Sequence, residues 1–161
     1  MLNVLFICTH NSARSVMAEA LLNKLGTGRF QAYSAGSQPK AAPNRFALEK
    51  AAQLGFPADS YRSKSWDEFA KPGAATMDII ITVCDNAAGE TCPFWAGHPA
   101  NAHWGFPDPS AEMGSDEIKR AAFDRVFNKI KTHIEALVAL PIETMDRATR
   151  NAALQKIAPH A

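Results

Sequence analysis

The sequence predicts an α/β fold: a single three-layer α/β/α domain built on a central parallel four-stranded sheet. Three observations carry that expectation. Asn3–Cys8 and Met77–Val83 are near-continuous apolar runs of the kind that strands buried on both faces display. Stretches of helical periodicity alternate with these runs along the chain, the order that produces parallel sheets covered by helices. A length of 161 residues suits one hydrophobic core.

The first strand, Asn3 to Cys8, ends in a polar loop, Thr9 to Arg14. From Ser15 onward, Met17, Ala18, Leu21, Leu22 and Leu25 recur at helical spacing, and Gly26 with Gly28 supplies the stop. Arg29 to Ala35 alternates toward a second strand that closes on Ser34-Ala-Gly36. After Pro39 and Pro43, a helix from about Asn44 carries Phe46, Ala47, Ala51 and Leu54 and is stopped by Gly55. Met77 to Val83 is the strongest strand signal, and Ala102 to Phe106 is a weaker one. Behind Ser115, the residues Ile118, Ala122, Phe123, Val126, Phe127, Ile130, Ile134 and Leu137 mark a long amphipathic helix that Pro141 ends. Thr144 to Ile157 reads as a separate, mostly polar helix.

Charge argues against a nucleic-acid partner. Seventeen Lys and Arg face sixteen Asp and Glu, a formal charge of +1, with no basic block interleaved with aromatics. Val4–Cys8 is too short for a signal-peptide core or a membrane span, so a cytoplasmic protein with no membrane partner is expected. Three cysteines do not make a secreted disulfide scaffold, which leaves catalytic, redox or core roles.

The informative stretch is Cys8-Thr-His-Asn-Ser-Ala-Arg14-Ser15. The carboxyl end of a parallel strand opens into the ligand crevice, and the next helix aims its unpaired N–H groups there. A cysteine at that point is expected to have its pKa drawn below the free value of about 8.5. Arg14 can offer two parallel donors to a tetrahedral oxyanion, and the backbone of residues 9 to 14 can line an anion nest. Thr9, His10, Asn11, Ser12, Ala13, Arg14 and Ser15 are therefore the candidate substrate cradle, with Cys8 as nucleophile at its base. The Ser15 hydroxyl is placed to stabilise the sulfur further by donating to it. A nucleotide P-loop is excluded, since no G-x-x-x-x-G-K-[ST] occurs.

Together with Trp104-Gly-Phe-Pro-Asp-Pro109, this motif resembles the low-molecular-weight protein tyrosine phosphatase superfamily, most nearly its arsenate reductase branch. The resemblance runs from residue 2 to about residue 138. It implies residues 1–140 as the phosphatase-like reductase domain and 141–161 as a C-terminal helical extension. It also places Asp108 over the cradle as the acid for the leaving oxygen, a position where Pro107 and Pro109 restrict the loop.

The two branches share thiolate, arginine and aspartate, so fold analogy alone does not choose between them. Phosphatases of the superfamily carry aromatic residues after the Asp-Pro pair, whereas this chain reads Asp108-Pro-Ser-Ala-Glu112. A reductase needs additional thiols, because each turnover delivers two electrons and leaves an oxidised sulfur to be resolved. Cys84, directly after the Ile79–Val83 run, is expected at the same crevice edge, and Cys92 lies in a polar, Gly-containing segment.

The expectation is an arsenate reductase, with low-molecular-weight protein tyrosine phosphatase as the alternative. The resemblance implies a cycle in which Cys8 attacks arsenate, Cys84 attacks Cys8, and the disulfide passes toward Cys92 and an external thiol reductant. That reductant is either thioredoxin or glutathione with glutaredoxin, and no bound cofactor is expected. Seven residues separate Cys84 from Cys92, one more than in the thioredoxin-coupled pattern. Some members hold a monovalent cation. Asn11, Glu19 and Ser34 match that site, but Ser65 stands at the expected aspartate, so no metal is assigned. A zinc site from Cys84, Cys92, His98 and His103 lacks the usual close cysteine pair.

Overall fold

A computed structural model describes residues 1–84 and 98–158. Its elements are β1 (Leu2–Cys8), α1 (Arg14–Leu25), β2 (Phe30–Gly36), α2 (Arg45–Gln53), β3 (Ile79–Thr82), β4 (Ala100–His103), α3 (Asp116–Val138) and α4 (Arg147–Ile157). Single 3-10 turns lie at Ala58–Ser60, Trp66–Phe69, Pro109–Ala111 and Ile142–Thr144. The four strands form one parallel sheet in the order β2-β1-β3-β4. That is the architecture the alternating pattern predicts.

β1 is flanked by strands on both sides, and Val4, Leu5, Phe6 and Ile7 are all completely buried, which is why its sequence is a continuous apolar run rather than an alternation. Its register pairs Cys8 with Gly36 and Ile7 with Thr82, so the ends of β1, β2 and β3 emerge together. Gly36 is required there by close approach: a Cβ would lie 2.5 Å from the Thr9 carbonyl oxygen.

β4 differs from its expected span of 102–106. Pairing stops at His103, although the Trp104 and Phe106 amides still donate to Thr82 O (2.8 Å) and Val83 O (3.2 Å). Gly105 and Pro107 lead the chain off the sheet while Trp104 and Phe106 remain buried. The aromatic signal therefore marked the strand's exit.

β4 is the sheet's edge, and α4 covers it. Asp146 caps the helix by accepting from the Thr149 amide at 2.8 Å. The outward β4 amides of Asn101 and His103 donate to Asn151 Oδ1 (2.8 Å) and Gln155 Oε1 (3.3 Å), one helical turn apart. Trp104 Nε1 donates to Leu154 O at 2.9 Å, and the Leu154 side chain is fully buried. Arg29 secures the connection by donating to Val138 O and Leu140 O and pairing with Glu143 through two 2.7 Å bonds. Leu154→Ala is expected to cost about 2 kcal/mol, the low end for a buried leucine because a peripheral helix can partly close the gap. Urea denaturation at an unchanged m value measures it.

Candidate active site

The cradle begins where β1 stops. Asn11 takes a positive φ of 47°, and its side chain is fully buried. Its Nδ2 donates to Ser15 Oγ and Ser34 Oγ, both at 2.9 Å, while its Oδ1 accepts the Lys64 amide at 3.0 Å. One asparagine thus ties the loop to α1, to β2 and to the 63–65 segment, holding a backbone conformation that costs energy without such support. The loop's outer side is fastened as well. Gln38 N donates to Thr9 O (2.8 Å) and Lys40 N to His10 O (3.0 Å). Ser12 O accepts from Asn44 N, also at 2.8 Å. Ser15, expected to donate to the Cys8 sulfur, engages Asn11 instead.

Cys8, His10, Ser12, Ala13, Arg14, Asp108 and Ser110 line a small cavity at this point. The first turn of α1 has no side-chain cap, which leaves its end open toward that cavity. Arg14 is held by the acid loop: Nη1 donates to Phe106 O at 3.0 Å, and Nη2 lies 3.8 Å from Asp108 Oδ2. Arg14 Nε is buried with no partner among the described residues, a donor left over for a further acceptor. The exposed His10 ring places Nδ1 3.1 Å from Gln38 O, and its backbone amide donates to the Cys8 sulfur.

Two buried thiols meet here. Cys8 is 4% exposed and Cys84 2%. They are hydrogen-bonded to each other, and that bond, with burial and Cys84's potential charge, pushes the Cys8 thiol up. Arg14 and the His10 amide act in the opposite direction. The pair of thiols therefore acts against the expectation of a resting Cys8 thiolate. The Thr9 amide, expected in the anion nest, is committed to Cys84 Sγ at 3.3 Å, with Thr9 Oγ1 at 3.5 Å from the same sulfur.

Asp108 sits over the cradle. Partial burial favours its neutral form, but hydrogen bonds from the Ser110 hydroxyl (2.6 Å) and amide (2.9 Å), with the Arg14 and Lys40 charges, hold it below the usual carboxylate range. An entering oxyanion that draws Arg14 away removes part of that hold. Cys92 lies outside the described residues, so Cys8, Arg14, Asp108 and Cys84 are the expected groups seen together.

Beneath the cradle lies a cluster that the sequence only partly indicates. Glu19, 7% exposed, accepts from Ser34 Oγ at 2.5 Å. Burial pushes its carboxyl up to about 7, against the pull of the Lys64 ammonium and the Ser34 hydrogen bond. Lys64 is itself 9% exposed and donates to Arg62 O at 2.9 Å. Ser65, at the position where an aspartate was expected, caps the turn at Trp66–Phe69 and bridges to Gly36. A cation is thus supplied to Glu19 by the preceding residue of the chain. No cluster of three His, Cys, Asp or Glu side chains suited to a metal occurs among the described residues. The larger groove of about 460 Å³ between α2 and α3 is lined by charges that pair with one another, Arg120 with Glu49 and Lys50 with Asp124.

A thiol at the end of a central parallel strand, under an arginine and an aspartate loop, defines a cysteine-based oxyanion enzyme on an α/β sheet. The chain belongs to the low molecular weight phosphotyrosine protein phosphatase family, whose profile matches residues 3–151. It is 33% identical over 132 residues to an arsenate reductase from Halalkalibacterium halodurans, covering 82% of this chain and 91% of the relative. The crystal structure of an arsenate reductase from Archaeoglobus fulgidus superposes with a TM-score of 0.65 at 30% identity, covering 85% of this chain and 99% of that one. A thioredoxin-dependent arsenate reductase from Corynebacterium glutamicum gives a TM-score of 0.53 at 25% identity, covering 84% of this chain and 62% of the other.

Proposed function

We propose that this protein is an arsenate reductase that converts arsenate to arsenite through thiol–disulfide chemistry. The observation that carries this reading is the pair of buried, hydrogen-bonded thiols, Cys8 and Cys84, at the floor of an oxyanion cradle. Hydrolysis of a phosphate ester needs one nucleophilic sulfur, whereas reducing arsenic needs two that end as a disulfide. The segment after Asp108 also has no aromatic wall to flank a phosphotyrosine ring.

In the proposed cycle, Arg14 and the loop amides hold arsenate, Cys8 attacks arsenic, and Asp108 delivers the proton for the departing oxygen. Cys84 then attacks the Cys8 sulfur, arsenic keeps the bonding pair and leaves as arsenite, and a Cys8–Cys84 disulfide remains. Cys92 takes over that disulfide in a second exchange, and an external thiol system, thioredoxin or glutathione with glutaredoxin, restores the thiols. The reaction belongs to the cytoplasm, where such reductants are kept reduced. No helix among the described residues is long and apolar enough to cross a membrane.

The test incubates the purified protein with arsenate and a dithiol, and separately with an aryl phosphate. Arsenite production together with a Cys8–Cys84 or Cys84–Cys92 disulfide located by mass analysis is expected. Rapid aryl phosphate hydrolysis without arsenite would overturn the reading in favour of the phosphatase.

A further inference from the structure

We propose that Cys84 is the proton acceptor for Cys8 before it is the thiol that displaces arsenic, so that the resting pair carries one proton and places its negative charge on the Cys84 sulfur. The geometry around the two sulfurs is unequal. Cys84 receives the Thr9 amide at 3.3 Å and has the Thr9 hydroxyl at 3.5 Å, and the Cys8 thiol is within hydrogen-bond reach of it. Cys8 receives the His10 amide and feels the Arg14 charge, although two of the guanidinium nitrogens are engaged with Phe106 O and Asp108. Both sulfurs are nearly inaccessible to water, so two adjacent thiolates would repel without solvent to screen them. A single negative charge on the pair is then held best by the sulfur that has both the Thr9 amide and the Thr9 hydroxyl beside it. Among the described residues, Arg14 is the cation that acts on Cys8, Asp108 is engaged with Arg14, and Lys40 acts on Asp108.

The second half of the assignment rests on the reductase reading. When Arg14 swings to the oxyanion, the Cys8 S–H bond breaks and its proton passes to Cys84. The Cys8 sulfur bonds to arsenic as an As–O bond breaks, and that oxygen leaves as water with a proton that Asp108, charged at rest, takes up from solvent once Arg14 has turned away. The Cys84 sulfur then bonds to the Cys8 sulfur, the S–As bonding pair stays on arsenic, and the Cys84 proton goes to an arsenite oxygen. Arsenic is reduced by two electrons and the two thiols are oxidised to one disulfide. The proton removed from Cys8 at the outset is thus the one that leaves with the product.

Iodoacetamide labelling of Cys8 across pH 5 to 10, with the label located by peptide mass, tests the proton-sharing step without arsenate. Cys84→Ala is expected to move the midpoint of Cys8 labelling at least one pH unit lower, which makes labelling near neutral pH about tenfold faster than in the unmodified protein. Superimposable Cys8 profiles would overturn the proposal. Thr9→Val, which removes the hydroxyl beside Cys84 and keeps both thiols, is expected to shift the same midpoint down by a smaller amount. If Cys84→Ala fails to fold, that shift decides, and its absence overturns the proposal. Failure here leaves the arsenite assay untouched, and failure of that assay leaves the labelling result standing.

Discussion

Arg14→Lys is expected to lower kcat/KM for arsenate by 10²- to 10³-fold, about 3 to 4 kcal/mol of transition-state stabilisation, with little change in thermal stability. The lysine retains the positive charge, so the loss isolates the value of the guanidinium fork. In the resting site that fork is divided: Nη1 holds Phe106 O, Nη2 approaches Asp108, and Nε is buried with no partner among the described residues. An ammonium has three donors but all on one nitrogen, so it cannot span the Phe106 carbonyl and an oxyanion that the guanidinium reaches with separate nitrogens. Both kcat and KM are expected to worsen, because substrate grip and the placement of Asp108 depend on the same group. Steady-state kinetics with arsenate, with inorganic phosphate as competing anion, measures the two. A lysine variant within threefold of the original would show that charge alone suffices and that the fork geometry is irrelevant.

The contrast between Arg14 and its tether shows where sequence reading succeeds and where it stops. The cradle was legible because its information is local. An apolar run, a cysteine, a five-residue polar loop and Arg-Ser before a helical period lie within fifteen positions, and the strand–loop–helix geometry follows from them. Cys84 was legible because β3 is also a continuous apolar run, and neighbouring parallel strands end at one edge. The Arg14 tether is a backbone carbonyl, Phe106 O, and a carbonyl leaves no mark in residue identity. The same holds for α4: its polar sequence gave no docking face, because Asn151 and Gln155 are complementary to amides of the β4 edge. The charge state of Cys8 was misjudged for a related reason. Helix end and arginine are visible in the motif, but the neighbouring Cys84 thiol and the diversion of the Thr9 amide depend on how the chain closes in space.

Lys64→Met is expected to weaken the cradle's support from beneath, at a cost that depends on pH. Glu19 lies under the loop with its carboxylate on Ser34, and Ser34 with Ser15 is bound by Asn11, the residue that holds the strained turn. Burial raises the Glu19 carboxyl to about 7 from the ordinary 4.5, and the Lys64 charge, ahead of the Ser34 hydrogen bond and Arg62, keeps it from rising further. Because the folded-state pKa lies above the unfolded one, the group's contribution to stability is fully present below pH 4.5. It is lost as pH rises through 7, a difference of about 3 kcal/mol. The native protein is therefore expected to weaken across that window on account of this group. Removing the ammonium leaves the buried carboxylate uncompensated, so Lys64→Met is expected to cost about 2 kcal/mol at pH 8, of which at most about 1.4 kcal/mol comes from Glu19, the worth of one pH unit above its value of about 7. At pH 5 Glu19 is already protonated, and the cost is expected to fall below about 1 kcal/mol, because the desolvated Lys64 ammonium then has no carboxylate to offset its own burial. Parallel urea titrations at pH 5 and pH 8 measure the difference. Equal losses at the two values would show that Lys64 supports the cradle through its methylene packing and its bond to Arg62 O, and that its charge on Glu19 is immaterial.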